Sequence, residues 1–98
     1  MIQNAGTQAF TTSDGPVGTS GIAVRIFTLH IISGGTASVV SLRNGTSTAG
    51  VAFITETGSI STGKTINFGT QGLLFPAGCF VDVDANTTNV TVTWNYAS

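Results

Sequence analysis

The sequence predicts an all-β fold, a β-sandwich or jelly roll of about seven strands preceded by an irregular N-terminal arm, and three observations carry that prediction. Short runs rich in Val, Ile, Thr and Phe alternate between apolar and polar residues, the period of a half-buried strand. Turn residues (Gly, Pro, Asn-Gly) recur between these runs at intervals of about eight to twelve residues, the spacing of sandwiches and barrels. No stretch of a dozen residues sets an apolar stripe at helical spacing among good helix formers. A chain of 98 residues suffices for one domain with one modest core.

Residues 1–20 are rich in Gly, Thr, Ser and Gln, with Phe10 and Val17 as the plausible anchors and Pro16 following Gly15. They read as an arm or irregular lead-in, and residues 21–98 as the sandwich domain. From Ile22 to Ile32 the chain is extended, with Ile22, Val24 and Ile26 expected on one face and Phe27, Leu29 and Ile31 on the other. A strand apolar on both sides is expected to be covered on both. Ser33-Gly34-Gly35 ends it, and a second strand, Ala37 to Leu42, runs into Asn44-Gly45, a pair suited to the positive φ of tight turns.

Val51 to Glu56, Thr65 to Phe68 and Leu73 to Phe75 are brief strands bounded by Gly58, Gly69, Gly72 and Pro76. Val81 and Val83 face opposite to Phe80, Asp82 and Asp84. The last strand alternates most regularly, with Val90, Val92, Trp94 and Tyr96 set against Asn89, Thr91, Thr93 and Asn95.

Only 7% of the residues are charged while 41% are hydrophobic, so Thr, Ser, Asn and Gly must make the surface soluble. With Arg25, Arg43 and Lys64 as the fixed cations and a net charge of −1, the chain has no patch that would release many counterions from DNA or RNA, and direct nucleic-acid binding is not expected. No run approaches the 18 apolar residues of a spanning helix, and the first residues lack a basic segment followed by an apolar one. A product made in the cytosol, with no membrane partner, is the expectation. Cys79, between Gly78 and Phe80, reads as a small buried hydrophobe.

Four patterns invite a chemical reading. Gly58-Ser59-Ile60-Ser61-Thr62-Gly63-Lys64-Thr65 satisfies the phosphate-loop spacing in full. A working loop opens a helix, however, whereas Ile66-Asn67-Phe68-Gly69 is β-like, so a polar connection with Lys64 as a charged edge residue is the preferred reading. Asp82, Asp84 and Asn86 alternate as calcium ligands do, but Thr87 and Thr93 stand where an EF-hand needs Gly and Glu. His30 lies in an apolar strand without an acidic neighbour in sequence, and the carboxylates Asp14, Glu56, Asp82 and Asp84 form no evident pair. Trp94 and Tyr96 on one face would suit stacking on sugars, although aromatic residues at strand period more often fill a core. No catalytic, cofactor-binding or metal-ligating residue is therefore expected, and the three Asn-x-Thr triplets at Asn44, Asn86 and Asn89 are discounted as chance matches in a Thr-rich chain.

Strands with so few Lys and Glu lack the usual protection against edge pairing, and an assembly that covers those edges would remove the hazard. The stretch from Gly21-Ile22-Ala23-Val24-Arg25 through Ser33-Gly34-Gly35-Thr36-Ala37, Leu42-Arg43-Asn44-Gly45-Thr46, Phe75-Pro76-Ala77-Gly78 and Val81-Asp82-Val83-Asp84 resembles small virion proteins of tailed bacteriophages of marine and cyanobacterial type. The resemblance covers roughly residues 21 to 96. It implies a non-enzymatic capsid decoration, or cement, protein: a homo-oligomer, trimer or dimer, that docks on the major capsid protein at the capsid surface of the virion. A tail- or fibre-associated adaptor, or a glycan or host-surface binding module, is the alternative it leaves.

Overall fold

The computed structural model describes residues 6–10, 13–34, 38–58, 63–84 and 87–97. Within them nine strands form two antiparallel sheets: β1 (Gly6–Phe10), β2 (Gly15–Pro16), β3 (Val24–Ser33), β4 (Ser38–Asn44), β5 (Val51–Gly58), β6 (Gly63–Asn67), β7 (Leu73–Phe75), β8 (Cys79–Val83) and β9 (Thr87–Tyr96). One sheet runs β1-β9-β3-β6, with β7 continuing the β6 edge against β3, and the other runs β2-β8-β4-β5. Counting β6 and β7 as two halves of one position leaves four strands facing four. Only β4 to β5 and β6 to β7 stay within a sheet, and every other connection crosses the sandwich. This is the interleaved double Greek key of a jelly roll, so the expected all-β sandwich is what the chain forms.

The core lies between the sheets. The first contributes Val24, Ile26, Leu29, Ile31, Phe75, Val90, Val92 and Trp94. The second contributes Val40, Leu42, Cys79, Val81 and Val83, with Val17 beside them. The alternation expected in β8 and β9 holds, and Phe80 and Asp82 turn outward as read.

Strand β3 departs from its expected pattern. Its register against β9 shifts between Ile26 and Thr28, a bulge that takes Phe27 out of step. Because one extra residue exchanges the two faces of a strand, Leu29 and Ile31 fall on the same inner face as Val24 and Ile26, all four fully buried. β3 is thus covered on one face, not two. Its outer face carries Thr28 and His30 beside Thr93 and Thr91, and Ile22 lies before the strand and is exposed.

The stretch read as an irregular lead-in also differs. β1 pairs with β9 from Gly6↔Trp94 to Phe10↔Val90, and β2 pairs with β8. Asp14 accepts a hydrogen bond from the Val83 N–H at 2.8 Å, and the Val17 N–H donates to the Cys79 carbonyl at 2.9 Å. These two strands raise the total above the seven expected. Backbone pairing recruits them with little help from apolar periodicity, which is why a reading by pattern passes over them.

The turn after β4 follows its sequence signal. Gly45 sits at φ 147°, in a region that L side chains rarely adopt, and its N–H donates to the Gly78 carbonyl at 2.9 Å. Asn44 Oδ1 accepts from the Ala77 N–H at 2.9 Å, so the Asn-Gly pair and the Phe75–Gly78 turn lock together.

Candidate functional surfaces

Of the phosphate-loop match, residues 59–62 lie outside the described residues. The flanks settle its context: Gly58 closes β5 and Gly63 opens β6, so the segment joins two strands and no helix follows it. Lys64 Nζ donates to Glu56 Oε1 at 2.8 Å and to the Thr57 carbonyl at 3.3 Å, tying the β6 edge to β5. Gly58 is needed for packing. A Cβ there would collide with Ser33 Oγ and would approach Ile31 Cγ2 and Ser38 Oγ to 2.9 Å. Close packing against two buried serines accounts for this glycine without a phosphate.

The acidic residues are dispersed among structural tasks. Asp82 Oδ2 accepts from Arg43 Nε at 3.0 Å, and Arg43 Nη1 donates to the Gly50 carbonyl at 3.1 Å. Asp84 Oδ2 accepts from the Val39 N–H at 2.8 Å. Asn86 lies outside the described residues, and among those described no three metal-ligating groups gather. His30 points from the outer face of β3, with Nδ1 2.6 Å from Thr65 Oγ1. The chemistry-bearing side chains thus stand apart, and the surface of the described residues holds no pocket.

Cys79 is buried, and burial pushes its thiol up to about 12. A buried thiol held protonated is a poor nucleophile, consistent with its reading as a core residue.

The two aromatic residues of β9 belong to the interior side. Trp94 is 9% exposed and packs edge-on against Tyr96 with ring centroids 4.8 Å apart. Trp94 Nε1 is buried under Gly6 without a hydrogen bond among the described residues. The Tyr96 hydroxyl accepts from the Thr19 N–H at 3.0 Å and lies 3.0 Å from Thr19 Oγ1. Neither ring is laid open for stacking on a sugar, so core filling is the role that the structure assigns to Trp94.

What remains as candidate surface is the side of the sandwich where β5 faces β6 and β7. β5 pairs with β4 and with no other described strand. Its register against β4 shifts between Leu42 and Arg43, leaving Phe53 as the extra residue of a bulge. Phe53 stacks on Phe75 of the opposite sheet, with centroids 5.2 Å apart, and remains 40% exposed. Val51 is 69% exposed, and Leu74 of β7 is exposed as well. Sequence reading named Val51 and Phe53 as strand residues without marking them as surface. Their exposure follows from the edge position of β5, which periodicity does not encode.

No family model matches the chain, and no curated protein matches it. Among solved structures, the chain is similar in fold to one from Bacillus endospore appendages, described as a novel family of disulfide-linked pili. The TM-score is 0.59 at 12% sequence identity, over 97% of this chain and 86% of that one. At that identity the likeness concerns the jelly-roll fold.

Proposed function

We propose that this chain is a non-enzymatic structural subunit that works by assembly, and specifically a bacteriophage capsid decoration protein that oligomerises and binds the major capsid protein on the head surface. The observation that supports it best is the pairing of a sparsely charged sandwich, whose ionisable side chains are dispersed in structural contacts, with a partly apolar β5 edge that has no second strand partner among the described residues. A surface poor in charge needs little desolvation when a partner covers it. The phage setting comes from the resemblance of residues 21–96.

The fold likeness to an endospore appendage protein favours a second reading within the same class, a subunit of an extracellular or tail-associated fibre. A glycan-binding module built on Trp94 and Tyr96 is disfavoured by the burial of Trp94. The test is stoichiometric. Purified chain is added to undecorated phage heads and bound copies are counted by quantitative mass spectrometry. Saturation at hundreds of copies per head is expected, while no binding to heads, or a few copies confined to the tail, overturns the decoration reading.

A further inference from the structure

We infer that Asn44 is a latent modification site, an Asn-Gly deamidation centre that the folded chain holds shut. It reacts when the two turns at this end of the sandwich come apart, and its isoaspartyl product keeps them from closing properly again. The inference is independent of the proposed assembly role.

The reactivity lies in the sequence. Asn44-Gly45 is the one Asn-Gly pair in the chain, and a glycine nitrogen can reach the preceding side-chain amide without a Cβ in the way. Base removes the Gly45 N–H proton, the nitrogen bonds to Asn44 Cγ, and the Cγ–Nδ2 bond breaks with loss of ammonia, leaving a cyclic imide. Water opens that ring at the side-chain carbonyl to give aspartate, or at the main-chain carbonyl to give isoaspartate. The sum is amide plus water to carboxylic acid plus ammonia, with no change of oxidation state.

The fold opposes each step. Ring closure requires the Asn44 backbone to rotate out of its extended conformation. Asn44 ends β4 and is paired on both sides, with Val51 of β5 and Cys79 of β8, so that rotation disrupts two ladders at once. Gly50 adds to the restraint, because it packs so closely on the Asn44 main-chain carbonyl that a Cβ there would come within 2.6 Å of the oxygen. The side-chain amide is held separately, with Oδ1 accepting from the Ala77 N–H at 2.9 Å. The attacking nitrogen is engaged too, since the Gly45 N–H donates to the Gly78 carbonyl at 2.9 Å.

The two products differ in consequence. Aspartate keeps an oxygen where Oδ1 stands, so it can still accept the Ala77 N–H while adding a negative charge. Isoaspartate inserts a methylene into the main chain between the last residue of β4 and Gly45, which spoils the register of the turn against Gly78. A chain that has once opened is thereby marked irreversibly.

The test is peptide mapping by tandem mass spectrometry of the full chain, incubated in mildly alkaline buffer with and without denaturing urea. Asn44 should convert at least about tenfold faster in urea than in buffer, because the reaction follows the population of the open state. It should also convert ahead of Asn86 and Asn89, which precede Thr87 and Val90. Gly78→Ala should speed conversion in buffer, since Gly78 sits at φ 93° and an added Cβ would stand 3.1 Å from the Gly21 nitrogen, straining the turn that holds Gly45. Should that variant fail to fold, wild type in a series of low urea concentrations replaces it, with a rate that rises before global unfolding. Isoaspartyl chains recovered from urea should unfold at lower urea concentration than Asn44→Asp. Equal rates in buffer and urea, earlier conversion at Asn86 or Asn89, a folded Gly78→Ala chain or low-urea series without acceleration, or isoaspartyl chains as stable as Asn44→Asp would each overturn the inference.

Discussion

Gly58→Ala is the substitution at which this structure makes its least intuitive prediction. Replacing a strand glycine by alanine ordinarily stabilises by about 0.5–1 kcal/mol, because the unfolded chain loses freedom. Here the added methyl would collide with Ser33 Oγ and would stand 2.9 Å from both Ile31 Cγ2 and Ser38 Oγ. Those two hydroxyls are buried and hydrogen-bonded to each other at 2.6 Å, so no flexible side chain is free to swing aside. Overpacking costs about 1–3 kcal/mol, and breaking the serine pair adds about 0.5–1.5 kcal/mol. Set against the ordinary Gly→Ala gain, the expected net loss is about 1–4 kcal/mol, or roughly 5–25 °C in Tm for a chain of this size. The assay is urea unfolding followed by the emission of the single, buried Trp94, which shifts to the red on exposure. Ser33→Ala with Ser38→Ala in the Gly58→Ala background should recover at least about 1 kcal/mol relative to additivity, since the obstructing hydroxyls are gone. A Gly58→Ala protein within about 0.5 kcal/mol of wild type, or one whose loss is independent of the serines, would refute the packing account of this glycine.

The remaining predictions concern the core and the apparent motif. Leu29→Ala should cost about 2–5 kcal/mol by the same unfolding assay; a cost below about 1 kcal/mol would mean that the bulge at Phe27 does not turn Leu29 inward. Lys64→Ala removes a partly exposed ion pair, so stability should change by about 1 kcal/mol or less, and nucleotide titrated by calorimetry should give no heat with either protein; saturable binding to the wild type that the variant loses would restore the phosphate-loop reading. For Cys79 the thiol stays protonated in the folded chain to about 12 but ionises near 9.0 once unfolded. The unfolded state therefore holds fewer protons between those values, and this group's contribution to stability, complete below pH 9, falls by about 1.4 kcal/mol per pH unit as pH rises toward 12. Unfolding measured at several pH values should show that slope in wild type and a shallower one in Cys79→Ala, and identical slopes would contradict the assignment.

Much of the architecture was legible because strand periodicity reports burial directly. Val81 and Val83, and Val90 through Trp94, alternate in sequence and point into the core as that alternation requires. The Asn44-Gly45 turn was readable for a different reason, since a positive φ leaves few residue choices. The candidate surface was legible only in negative form: scarce charge and unprotected strands indicated that some edge would be open, without indicating which.

Sequence alone determined the all-β class, the strand-rich core, the absence of helical context around Lys64 and the burial of Cys79, because each depends on residue type and near neighbours. Tertiary structure decided what depends on partners distant in the chain. It placed a bulge at Phe27, which reverses the faces of β3, and drew the Gly- and Thr-rich stretch before residue 21 into β1 and β2 through backbone bonds that carry no side-chain signature. It also set β5 at the end of its sheet. A strand records in its own sequence which face is apolar, whereas its neighbours, and therefore which edge is left open, are chosen by the closure of the whole sandwich.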